Sequence, residues 1–266
     1  MIVTKDLIII NFPKTGSTFV REVMKKIHSH SLINKLLRFN EKYRYQVLML
    51  PQIRTFNKRY NKPTEHGLYS QIDAELLKNK QVVSVKRNLF DYFISLYLYG
   101  DWKKSEALNF NEDKIRQSFS EFPRLTFEEY IKFNYQYPFY FNNPQLKNPK
   151  KIQNLLGPAS VQFVFFYFKK PFEFLNNLEK YDLQNLDYSK LMPSITFLNQ
   201  ENLNRELYKL LSKYYPEKKI KFILKEEKKN VSNSNKMSVN DIKKETKELI
   251  IKNETLVINY FKDLYV

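Results

Sequence analysis

The chain predicts a single α/β domain spanning residues 1–266, with a three-layer α/β/α arrangement. Its sheet is expected to be central and mostly parallel, with a strand–phosphate loop–helix at the N-terminus. Three observations predict this. The apolar run Leu7-Ile8-Ile9-Ile10 stops at a turn with one Gly and three hydroxyls. A second run, Gln81-Val82-Val83-Ser84-Val85, stops at Lys86-Arg87-Asn88. Helical spacing follows each run, and strands alternating with helices imply parallel units with right-handed crossovers. At 266 residues and 42% hydrophobic, the chain can bury a sizeable core and is globular in composition.

Residues 5–30 read as strand, loop and helix, the helix starting near Thr18. Residues 31–63 are basic and irregular, broken by Pro51 and Pro63. Residues 65–70 read as a short strand or a loop, and Ile72 to Asn79 as a short helix. Gln81 to Val85 reads as a buried parallel strand. Leu89 to Tyr99 is a helix with Asn88 as N-cap and Asp91 in the capping-box position. Residues 101–124 are polar and read as a surface excursion. Phe127 to Tyr137 is helical, stopped by Pro138. Val161 to Phe168, apolar and β-rich, reads as a third buried strand. Pro171 sits at the favoured first position of a helix running to about Lys180. Leu203 to Tyr214 is a helix, and Ile220 to Leu224 a late strand. Ser238 to Ile251 and Glu254 to Leu264 are helical, with Ser238 or Asn240 as cap. There is no internal repeat and no flexible linker.

The turn Phe12-Pro13-Lys14-Thr15-Gly16-Ser17-Thr18 has the make-up of an anion cradle. Backbone N–H groups and a helix N-terminus point at one anion there, with Lys14 as a point charge. Gly16 permits positive φ and close backbone approach. Thr15, Ser17 and Thr18 can donate hydroxyls to the anion or cap the helix, and one residue can do both. The spacing is not that of a nucleotide-triphosphatase loop, since Lys14 precedes Gly16 by two and no Gly stands five before it. Arg87 at the end of the second strand offers a planar fork for a phosphate dianion. Ser95 lies seven residues past Asn88, about two turns along one helix face, so Arg87 and Ser95 can converge on one phosphate. Both segments fall where ligands bind on parallel sheets, at the carboxyl ends of strands.

Together these segments resemble the sulfotransferases that use 3′-phosphoadenosine 5′-phosphosulfate (PAPS). Pro13-Lys14-Thr15-Gly16-Ser17-Thr18 is similar to that family's 5′-phosphosulfate loop. Arg87 and Ser95, within R-N-x-x-D-x-x-x-S, resemble its 3′-phosphate motif. The resemblance covers the N-terminal third. It implies transfer of a sulfuryl group to a hydroxyl or amine of a small metabolite or saccharide, with Lys14 stabilising the charge that grows on the leaving oxygen. No metal is implied. It also implies a base at Thr64-Glu65-His66, where the family carries K-T-H; the His matches and the Lys does not. His66 is the first candidate, since imidazole titrates near neutrality. Glu65 is the second, because other branches use Glu, and a more distant acid such as Asp101 is the third. Family members close the cofactor site with a late basic, hydroxyl-rich segment. Lys228 to Ser234 has that character without the family's R-K-G triplet, and Lys229 and Ser232 are its candidate phosphate contacts. The other histidines, His28 and His30, stand near the end of the first helix, where a surface role or a charge on the helix dipole is expected. Tyr135, Tyr137, Phe139, Tyr140, Phe141 and Trp102 serve either an acceptor pocket or packing.

Composition narrows the alternatives. Forty-five Lys and Arg against 28 Asp and Glu give +17, which suits an anionic ligand or a Lys-rich solvated surface. A nucleic-acid-binding protein is one rival, but lysines such as Lys225 to Lys229 alternate with Glu226 and Glu227. A nucleotide or metabolite kinase is the other, and it lacks a G-K-[ST] loop. With no Cys, disulfides and thiolate metal sites are excluded. The first apolar run is too short for a signal peptide, and no stretch approaches the ~18 apolar residues of a membrane span. A cytoplasmic enzyme is the expectation, outside the anchored Golgi branch of the family.

Overall fold

The computed structural model describes residues 1–29, 46–47, 66–103, 112–138, 143–226 and 237–262. His30, Glu65, Lys229, Ser232 and the run 139–141 lie outside the described residues. The described residues divide into two compact units. The first draws on 1–29, 46–47, 66–87 and 194–226, the second on 88–103, 112–138, 143–193 and 237–262.

The first unit holds a mixed five-stranded sheet, and the chain as a whole is α/β. Its strands are β1 (Ile2–Val3), β2 (Leu7–Ile9), β3 (Gln46–Val47), β4 (Gln81–Lys86) and β5 (Thr196–Asn199). The order is β3-β1-β2-β4-β5. β2, β4 and β5 are parallel, with Ile8 opposite Val82 and Ser84 opposite Phe197. β1 runs antiparallel to β2 and β3. The turn from β1 to β2 is tied by Thr4, whose Oγ1 accepts from Leu7 N at 2.9 Å.

β2 and the inner part of β4 are buried on both faces, which suits parallel strands. Helix α1 (Ser17–Ser29) lays Phe19, Val20, Val23, Met24 and Ile27 into the core. That i, i+4, i+8 recurrence is one helix face. Helix Leu203–Leu211 adds Leu203, Leu207, Leu210 and Leu211 to the same core.

The second unit is helical among its described residues. Asn88 caps helix Leu89–Tyr99 as expected, its Oδ1 accepting from Phe90 N at 2.9 Å. Gly100, at φ +74°, ends that helix in the left-handed region. Helix Phe127–Gln136 opens with a Thr126–Glu129 capping box and stops before Pro138.

Two expected strands are helical instead. Val161 to Tyr167 belongs to helix Pro158–Tyr167, all ten residues of which are buried, and Phe168 is its extended C-cap. Burial on every side removes the periodicity that separates a core helix from a core strand. Pro158 at its first position and the fully buried Glu254 settle the choice. Glu254 accepts from Ala159 N at 3.2 Å and Ser160 N at 2.6 Å, two of the orphan donors of the first turn. Ile220 to Leu224 lies in the short helices Glu217–Ile220 and Lys221–Lys225, where Ile220 and Ile223 reach the core at helical spacing. The helix opened by Pro171 is shorter than expected, Pro171–Leu175, with a 3₁₀ turn at Leu178–Lys180.

Candidate functional site

The site is assembled in the first unit at the carboxyl ends of β2, β4 and β5. β2 runs on through Ile10, whose N–H donates to Val83 O at 2.8 Å and whose carbonyl accepts from the buried Ser84 Oγ at 3.0 Å. Beyond Asn11 the chain turns through Pro13 to Gly16 into α1. Two residues of this turn have left-handed backbone, Lys14 at φ +64° and Gly16 at φ +97°. A turn with left-handed residues is a setting in which successive backbone N–H groups can form an anion nest. The first N–H groups of α1 add to it, since they have no acceptor within the helix.

The loop is fixed from inside and from two sides. Thr15 is 3% exposed and its Oγ1 donates to Phe12 O at 3.0 Å. Its hydroxyl hydrogen is thereby committed to the shape of the loop. Thr18 Oγ1 accepts from Arg21 Nη2 at 3.2 Å and keeps its own hydrogen. Ser17 is buried at the start of α1. A Cβ on Gly16 would stand 2.8 Å from Leu203 Cδ2 and 3.6 Å from Gln200 Cγ. Gly16 is favoured by its φ, and a side chain there would also press on the end of Leu203.

Arg87 comes directly after β4, and its Nη1 donates to Lys14 O at 2.9 Å. The backbone beneath it is pinned by Gln200 N, which donates to Lys86 O at 2.9 Å. His66 meets the end of β2: its Nδ1 lies 2.8 Å from Asn11 O. A carbonyl oxygen only accepts, so Nδ1 carries the hydrogen, and in the neutral form of the ring Nε2 is the nitrogen without one. That is the tautomer a general base needs when its other nitrogen is held by the backbone.

Three of the sequence-predicted features are thus brought together: the Lys14 loop, Arg87 and His66. Ser95 is half-buried on helix Leu89–Tyr99 in the second unit. Gln200 and Leu203, which border the loop, belong to no motif. Their only sequence signal is the turn Asn199-Gln200-Glu201-Asn202 between an apolar run and a helix. Glu206 ties that turn, accepting from Asn199 N and Nδ2 at 2.7 Å each.

The remaining candidates have structural partners. His28 is partly buried, its Nε2 sharing a hydrogen bond with Tyr215 OH at 3.0 Å. Desolvation, with help from the Lys219 charge, pushes its pKa down to about 4. It is neutral near pH 7, so the expected charge on the helix dipole is not what it supplies. Trp102 is buried, donates to Tyr97 O at 3.0 Å and stacks on the Tyr97 ring. Tyr135 donates to Glu254 Oε1 at 3.2 Å. Both are packing residues of the helical unit. Asp101 is exposed in the 3₁₀ turn Asp101–Lys103.

No protein-family model matches the chain, and no curated protein or solved structure matches it. Among the described residues, no helix is long and apolar enough to cross a membrane.

Proposed function

We propose that this protein is a sulfotransferase that moves a sulfuryl group from PAPS to a hydroxyl or amine of a small metabolite or saccharide. The observation that supports it most is the Lys14–Gly16 loop, with its two left-handed residues, joined to Arg87 through the Lys14 carbonyl. The three-layer arrangement, a cytoplasmic location and independence from metal and nucleic acid belong to the same reading.

The donor set fits the phosphosulfate end of PAPS: backbone N–H groups of the turn and of α1, the Lys14 ammonium, and the Ser17 and Thr18 hydroxyls. When bound, PAPS supplies an activated sulfuryl group. Lys14 places positive charge where negative charge grows as the sulfur–oxygen bond breaks, so it favours the transition state over the ground state. His66 accepts the proton of the attacking hydroxyl or amine at Nε2, with Nδ1 held by Asn11 O. Arg87 and Ser95 are the residues assigned to the 3′-phosphate. Lys229 and Ser232 are assigned as late-chain phosphate contacts.

Radiolabelled PAPS offered with a panel of alcohols, phenols, amines and saccharides tests the reading. Label is expected to pass to at least one acceptor class. Lys14→Ala is expected to lower turnover about 10²–10³-fold, the usual worth of one transition-state donor. Its affinity for adenosine 3′,5′-bisphosphate, which lacks the sulfuryl group, is expected to fall only slightly. Normal turnover at saturation with lost nucleotide binding would contradict the role given to Lys14.

A further inference from the structure

We infer that Arg87 is a positioning residue for the anion loop, holding Lys14 in its left-handed conformation through the Lys14 carbonyl; the inference rests on the sulfotransferase reading for the identity of the anion.

The geometry has three parts. Lys14 adopts φ +64°, a region that side-chain-bearing residues enter at a cost and keep only when their surroundings over-determine them. Arg87 Nη1 donates to the carbonyl of that residue at 2.9 Å, a charge-assisted hydrogen bond. Arg87 is itself on rigid ground: it comes directly after β4, whose last residue, Lys86, is paired with Asn199 and accepts from Gln200 N. The peptide after Lys14 cannot rotate without breaking the bond from Arg87. Rotation there would turn the Thr15 N–H out of the nest and redirect the Lys14 side chain.

A second brace acts at the other end of the loop. Leu203 closes over Gly16, so the loop is confined by β4 through Arg87 and by the helix after β5 through Leu203. Thr15, between them, is locked to Phe12 O. Lys14 is the residue of the turn whose strained backbone depends on a neighbouring strand. A guanidinium has five N–H donors, so a bond to a carbonyl and a contact to a phosphate are compatible in one Arg side chain. Arg87 then links the phosphate on one side to the shape of the loop on the other.

The two roles differ in what they affect. A residue that only contacts a 3′-phosphate has no influence on a ligand without one, and none on the empty loop. A residue that holds the loop influences both. The test therefore uses Arg87→Met, which keeps the aliphatic stem, and Arg87→Lys, which restores a donor and a charge. Amide hydrogen exchange of residues 12–18 is measured without ligand, with residues 81–86 as the control for general loosening. Arg87→Met is expected to speed exchange in the loop about tenfold, the worth of one charge-assisted hydrogen bond, while the control barely changes. Arg87→Lys is expected to recover part of the protection. Inorganic pyrophosphate, which has no 3′-phosphate counterpart, is expected to bind Arg87→Met about tenfold more weakly than wild type.

Loop exchange in Arg87→Met equal to wild type would overturn the inference, as would loosening of loop and control together. If no adenosine phosphate or pyrophosphate binds the wild type, the sulfotransferase reading falls, and the exchange comparison still decides what Arg87 does. If Arg87→Met does not fold, Arg87→Lys carries the exchange comparison. Its single ammonium is then expected to give loop protection below wild type at unchanged protection of 81–86, and full protection would overturn the inference.

Discussion

The two units use apolar runs of similar composition in opposite ways. In the first, Leu7–Ile9 and Gln81–Lys86 are strands followed by Lys14 and Arg87, and His66 reaches the end of the first through Asn11 O. In the second, Pro158–Tyr167 is a helix, and the ionisable group at its end, Glu254, is sealed inside. The residues within each run do not account for the difference. The flanking residues do: a glycine- and hydroxyl-bearing turn in one case, a Gly-Pro start and a remote carboxylate in the other. A strand end left open to a loop becomes a place for a ligand. A helix end closed by a side chain becomes part of a core. Among the described residues, Lys14, His66 and Arg87 gather in the sheet unit, while Glu254 of the helical unit holds a helix end.

The sharpest way to break this contrast is His66→Ala. If the open strand end is catalytic, turnover is expected to fall about 10²–10⁴-fold, the range of general acid–base catalysis, with nucleotide affinity nearly unchanged. A near-normal rate with an alcohol acceptor would move the base to Glu65 or to another acid.

Glu254 tests the closed end. Burial pushes its carboxyl up to about 7, against hydrogen bonds from Ser160, Ala159 and Tyr135 that act the other way. A carboxyl whose folded pKa exceeds its unfolded value favours the fold below the unfolded value, near 4.5, and loses that contribution as pH rises to about 7. Across that interval stability is expected to fall by about 3 kcal/mol, and denaturant unfolding at several pH values measures it. Glu254→Gln is expected to flatten the slope. Glu254→Ala leaves Ala159 N, Ser160 N and the Tyr135 hydroxyl without their acceptor and is expected to cost about 2–4 kcal/mol. A slope that persists in Glu254→Gln would assign the pH dependence elsewhere.

A smaller effect sharpens the open end. Gly16→Ala forces a side chain into φ +97° and towards Leu203, with an expected loss of about 1–3 kcal/mol of stability. Chemical denaturation of the variant measures it. A neutral result would mean that the loop tolerates a different backbone, contrary to the nest.

Much of the loop is legible in sequence, because a turn needing positive φ places a scarce Gly there and hydroxyls mark the helix start. His66 is legible only by its place before the second strand; the Asn11 carbonyl that fixes its tautomer is a long-range partner. The bond from Arg87 to Lys14 is not legible, since no spacing rule pairs a side chain with a backbone carbonyl 73 residues away. β5 escapes a sequence reading because its four residues are mostly half-exposed and lack a buried run. β1 escapes it because two residues are too few for a pattern. The helix Pro158–Tyr167 reads as a strand because Val and Phe suit either element when every side is buried, and Glu254, which caps it, lies 94 residues from Ser160.

The most direct test of the open strand end as a PAPS site is calorimetry of the wild-type protein with adenosine 3′,5′-bisphosphate and adenosine 5′-phosphate. A site built for a second phosphate is expected to bind the bisphosphate at least about tenfold more tightly, the low end for a charge-assisted phosphate contact. Equal affinities for the two nucleotides would contradict it.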